Sequence, residues 1–124
     1  MSVDTIGARE LELFIENDSQ LYRQQYQPIQ KNLRTKQARG IYQHDKAVKA
    51  FKNLVDNGAR RYGKEFSGSS QAGLRQFSPS TRRVVAKSLT NHFEIESKLG
   101  NYDYLLPKKY REMPKGVASM ERTK

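Results

Sequence analysis

The sequence predicts an all-α protein, a small helical bundle of about four helices around one long amphipathic helix, with a disordered C-terminal tail. Three observations carry this. In residues 42–66, Val48, Phe51, Val55, Ala59, Tyr62 and Phe66 recur three and four apart, the spacing of one helix side, with Ala47, Leu54 and Gly58 in the same sector. No segment alternates apolar and polar residues as a half-buried strand would. Beyond Tyr110 the chain is polar and charged, with little to bury.

The elements follow in order within a single domain, residues 1–110. Asp4 or Thr5 caps an acidic helix over 4–17, where Ile6, Leu13 and Phe14 form a narrow apolar stripe. A kinked helix is expected over 19–39, because Pro28 removes a backbone donor inside the run of Leu21 or Tyr22, Tyr26, Ile29 and Leu33. Gly40 ends it as a C-cap. The long helix, 42–66, spans roughly 37 Å. SGSSQAG reads as part of a flexible loop, 67–77. Ser78-Pro79 starts a helix over 79–99, with Val85, Leu89, Phe93 and either Ile95 or Leu99 inward. Tyr102, Tyr104, Leu105 and Leu106 form a strap, 101–110, and 111–124 is a flexible basic tail.

Charge is the feature with functional content. The chain has a net charge of +10 over 124 residues, unevenly spread. Residues 1–18 hold five carboxylates against Arg9, a net −4, whereas the remainder holds 22 basic and 8 acidic residues, a net +14. The usual partners of such a basic body are nucleic acid, an acidic protein surface or anionic lipid. Lys46, Lys49, Lys52, Arg60 and Lys64 share the side of the long helix opposite its apolar residues, with Arg61 at the margin. Lys31, Arg34, Lys36 and Arg39 precede them across the Gly40 turn and extend the surface. A second, phosphate-sized site is expected where Ser78, Ser80 and Thr81 meet free helix amides, with Arg82, Arg83 and Lys87 following. The competing readings are a solvated face and an ordinary capped helix. Tyr102, Tyr104 and Tyr110 lie near Lys108, Lys109 and Arg111, where they would either stack on bases or close the core.

Catalytic signals are missing. His44 and His92 stand in no zinc-ligand spacing, and Glu94 and Glu96, two apart, point in different directions on a helix. His92 reads as a packed residue and His44 as an exposed first-turn one. There is no HExxH, Walker A, dinucleotide-binding or GxSxG pattern, so neither an enzyme nor a cofactor is expected. A helix-turn-helix is not expected either, since eleven residues separate the last two long helices. Without cysteine or an eighteen-residue apolar run, neither disulfides nor a membrane span is expected, and no secretory signal pattern opens the chain.

DKAVKAFKNLVDNGARRYGKEF, together with LGNYDYLLPKKY, resembles small uncharacterised proteins of bacteriophage genomes. The resemblance implies a phage or mobile-element origin and the bacterial cytoplasm, and it assigns no activity. Two functions are therefore weighed. The first is sequence-independent nucleic-acid binding through the Lys/Arg face. The second is an inhibitor or adaptor that binds an acidic surface of a host protein, such as a nucleic-acid-processing or defence complex. In either case Glu10, Glu12 and Glu16 are candidates to mask the basic helix, within the chain or across a homodimer.

Overall fold

The computed structural model describes the backbone of residues 2–111 and the side chains of residues 7–110. The described chain is all-α: α1 (Ser2–Asn17), α2 (Ser19–Leu21), a π turn (Tyr22–Tyr26), α3 (Gln27–Ala38), α4 (His44–Ser67), α5 (Ser70–Gln76), α6 (Pro79–Lys98), a 3-10 turn (Asp103–Leu105) and α7 (Lys108–Arg111). No strand occurs among the described residues. The tail expected beyond Arg111 and the placement of Ile6 lie outside what is described.

The long helix is the centre of the bundle, packed against α1, α5 and α6. Its Phe51, Leu54, Val55 and Ala59 are fully buried, at 0–1% exposure. Phe66 departs from the expected stripe and stays 62% exposed, touching only the edge of the core through the Phe14 and Tyr62 rings. On α1 the inward stripe is Ala8, Leu11 and Ile15, with the expected Phe14 half-buried against the core and the expected Leu13 facing out. The α6 stripe is Val85, Ala86, Leu89 and Phe93, while Ile95 and Leu99 are exposed.

One local expectation is sharpened and another corrected. The disturbance expected at Pro28 takes the form of the π turn just before it, within helical residues that run from 19 to 38. There the Gln27 N–H reaches back to the Tyr22 carbonyl, five residues away. That wider turn accommodates a proline that offers no N–H to the preceding turn. The 67–77 loop contains a seven-residue helix, α5, started by Ser69, whose Oγ accepts the Ala72 N–H at 3.1 Å. It folds back on α4 backbone to backbone. A Cβ on Gly73 would lie 1.8 Å from the Ala59 carbonyl oxygen, and one on Gly63 would lie 2.2 Å from the Gly73 nitrogen. With α5 in place only residues 77–78 separate it from α6, shorter than the three or four residues of a helix-turn-helix.

Gly40 caps α3 as expected. Its φ is 75°, and Ile41 N–H to Lys36 O (2.9 Å) with Gly40 N–H to Gln37 O (3.0 Å) complete a Schellman end. Gly100 repeats the device after α6, with Asn101 N–H to Glu96 O at 3.0 Å. The strap then turns back, and Tyr102 stacks on Phe93 at 5.4 Å and 14°. Burial pushes the Tyr102 hydroxyl up to about 12, with Glu96 adding to the shift.

Gly73→Ala is expected to cost about 3 kcal/mol through overpacking against α4. Gly7→Ala, whose methyl would meet only the Thr81 methyl at 3.7 Å, is expected to gain about 0.5–1 kcal/mol from helix propensity. Urea unfolding of the two variants checks the contrast.

Candidate nucleic-acid interface

Two polar contacts set how α4 lies on α6. Near the start of α4, His44 Nδ1 and Glu94 Oε2 stand 2.7 Å apart, and the Tyr42 hydroxyl donates to the same oxygen at 2.5 Å. Burial and that carboxylate together hold the Tyr42 hydroxyl well above its ordinary pKa. Three turns further along, Arg82 donates to Asp56 Oδ1 at 3.2 Å. Residue 44 is thus level with 94 and 56 with 82, an antiparallel register that places 51 level with 87 and 55 with 83.

This register joins the two basic regions. At 100° per residue, Lys49 and Lys52 lie on the solvent flank of α4 that borders α6, and Arg83 and Lys87 lie on the matching flank of α6. Arg83, Lys87, Lys46, Lys49 and Lys64 are exposed and have no hydrogen-bond or ion-pair partner among the described residues. Lys52 reaches Asp56 at 3.5 Å with its side chain still 36% exposed. Arg60 is exposed and donates only to Asn57 Oδ1, at 2.9 Å. Asp56 therefore serves both helices, one oxygen to Lys52 and the other to Arg82.

Other expected members lie elsewhere. Arg34 is buried at 4% exposure, with Nη2 2.9 Å and Nε 3.2 Å from Asp103 Oδ1 and Nη1 3.3 Å from Gln37 Oε1. It belongs to an internal polar layer with Gln30 and Gln37, and does not extend the outer surface. Lys31 borders a separate groove with Pro28, Tyr104 and Pro107. Lys36 is half-buried on the other flank of α3, and Arg39 is exposed at its end. The surface expected around the Gly40 turn is therefore divided. Arg61 is taken by Asp18, Nε to Oδ2 at 2.9 Å. Asp18 is also the N-cap of α2, accepting the Leu21 N–H at 2.9 Å. Burial pushes the Asp18 carboxyl up, but the Leu21 amide and the Arg61 guanidinium outweigh it and hold the pKa below the ordinary 3.8.

The expected phosphate site is occupied by its own cap. Ser78 Oγ accepts the Thr81 N–H at 3.2 Å and lies 3.0 Å from Thr81 Oγ1 and 3.2 Å from Ser80 Oγ, while Thr81 is buried. Its arginines divide, Arg82 inward to Asp56 and Arg83 outward. The acidic helix does not mask the basic face within the chain. The Tyr62 hydroxyl donates to Glu10, the Ser88 hydroxyl donates to Glu12 at 3.1 Å, and Glu16, whose pKa is raised by burial and by Glu12, lies toward His92. His92 is exposed, one residue off the buried Phe93. His44 is exposed in the first turn as expected, but bonded to Glu94. Tyr102 closes the core, whereas Tyr104 remains 57% exposed.

Among the described residues no group of three or more His, Cys, Asp or Glu side chains is placed to hold a metal. No described helix is long and apolar enough to cross a membrane. Comparison with known protein families, with curated proteins and with solved structures returns no match. Asp56 and Glu94, which set the register, were not singled out for that role in the sequence. Asp56 is the one acid between Lys46 and Lys64, and that isolation is the signal it carries, whereas Glu94 has Glu96 two residues away and carries no such signal.

Asp18→Asn keeps the cap and removes the charge. The wild-type contribution is complete above the unfolded pKa and is lost as pH falls through the lower folded value. The variant should lose about 0.5–1 kcal/mol at neutral pH, a difference that shrinks as pH falls below the ordinary carboxylate range, read by urea unfolding from neutral to acid pH. Arg34→Met should cost about 2 kcal/mol, below the fully buried range because Asp103 is 46% exposed. The same unfolding assay measures it.

Proposed function

We propose that the protein binds nucleic acid without sequence preference, through the paired solvent flanks of α4 and α6. The observation that carries this reading is the antiparallel register, which supports a single surface of Lys49, Lys52, Arg83 and Lys87. Lys46, Arg60 and Lys64 continue it along α4. From Lys46 to Lys64 the stripe measures about 27 Å, the length of roughly eight base pairs. Phosphates neutralised by such a surface release condensed counterions, a gain that does not depend on base identity. The lysines supply charge, and Arg60 and Arg83 are the groups able to make forked contacts to phosphate oxygens. Asp45, Asp56 and Glu94 lie on or beside the same flanks and limit the affinity, which fits a transient coat better than a specific operator complex.

Fluorescence anisotropy with a labelled duplex and a single strand, each at two salt concentrations, tests the reading. The log–log slope on duplex should be about −0.9 per neutralised phosphate, with three to five phosphates engaged. The triple change Lys49→Glu, Arg83→Glu, Lys87→Glu should abolish binding and leave the helical circular dichroism intact. Binding that survives it places the contact elsewhere.

A further inference from the structure

On the side of α4 away from the basic stripe lies a groove of about 560 Å³ between the second half of α1 and the last turns of α4. Glu10, Leu13, Phe14, Tyr62, Glu65 and Phe66 form most of its lining. Tyr62 and Lys64 are two residues apart, about 200° around the helix, so the groove and the basic stripe can be occupied together. We propose that this groove docks a lysine or arginine side chain, flanked by apolar residues, from a segment of a partner protein.

The walls are aromatic. Phe14 meets Tyr62 edge-on at 5.2 Å, Phe66 stands 4.7 Å from Tyr62 and 6.1 Å from Phe14, and Phe77 backs Tyr62 from behind at 4.9 Å. Such a ring cluster attracts a cation through the negative faces of the rings and packs its aliphatic stem. The rim is acidic. Asp18 is spent on the Leu21 amide and Arg61, but Glu65 has no partner among the described residues, and Glu10 uses one oxygen to accept the Tyr62 hydroxyl. The groove is thus an anionic patch on a chain of net charge +10, complementary to a cation and repellent to phosphate. Leu13 and Phe66, 47% and 62% exposed, offer apolar contact on either side of the cation. Eight residues line the groove, too few for a stable dimer face, which takes about 20–30 residues a side. A short segment of another protein fits that size. This inference is independent of the nucleic-acid reading.

The test is an NMR titration of the isotope-labelled full chain with two capped tripeptides, Leu-Arg-Leu and Leu-Gln-Leu. Saturable shifts confined to the lining residues are expected, with the arginine peptide about fivefold the tighter. Glu65→Gln should weaken it about threefold, and Phe66→Ala should remove the preference. Both side chains are exposed, so an otherwise unchanged spectrum verifies the fold. Equal affinity for the two peptides, or shifts outside the groove, overturns the proposal. So do shifts at the lining residues that grow with protein concentration alone, since they would identify a second copy as the occupant.

Discussion

The antiparallel seam between α4 and α6 is the contact on which the rest of the bundle depends. Its interior is a chain of rings, Tyr42 to Phe93 at 6.0 Å and Phe93 to Phe51 at 6.1 Å, continued by Tyr26 on one side and Tyr102 on the other. Apolar packing of this kind supplies most of the driving force but is non-directional, so it leaves more than one register open. The two polar contacts, Glu94 at one end and Asp56 at the other, remove that freedom. A shift by one helical turn would leave Arg82 half-buried without its carboxylate and Tyr42 without an acceptor, and both losses cost more than the bonds contribute. The position of the cationic side chains on the surface is thus set by two acids beneath it.

The second ordering element is the polar layer under the strap. Gln30, Arg34 and Gln37 are buried on α3 beside the expected apolar stripe, whose Tyr26 and Leu33 are also buried, and Gln30 and Arg34 meet Tyr102 and Asp103. The Gln30 amide donates to the Tyr102 hydroxyl at 3.2 Å. The arrangement fixes where the chain crosses after α6, because directional bonds tolerate less displacement than aliphatic contacts do. It also removes a cation from the surface that the sequence alone would have counted.

Much of the architecture was legible from apolar spacing and caps. The α4 stripe, the Ser78-Pro79 start and the Gly40 and Gly100 stops all follow from interactions within five residues of the chain. What the sequence hid was long-range. Nothing local distinguishes Arg34, which is buried, from Arg39, which is exposed, because the difference is Asp103, sixty-nine positions away. The seam register likewise rests on pairs fifty and twenty-six residues apart. The α5 helix was missed for a different reason. Its sequence, SQAGLRQ, holds good helix formers but is only seven residues long around a central glycine, too short to be stable alone, and contact with α4 holds it rather than any stripe of its own.

That contact has a consequence for kinship. Where side chains meet, drift is tolerated, because one apolar group can be exchanged for another with modest adjustment nearby. Where main chains meet, as at Gly63 and Gly73, there is nothing to exchange, and any chain that keeps the hairpin must keep both positions without a side chain. Ten residues apart, they form a spacing held by main-chain contact and independent of which apolar side chains surround it. Distant relatives of this protein are to be sought by that pair, one glycine in the last turns of a long basic helix and the other ahead of a Ser-Pro helix start, rather than by overall similarity.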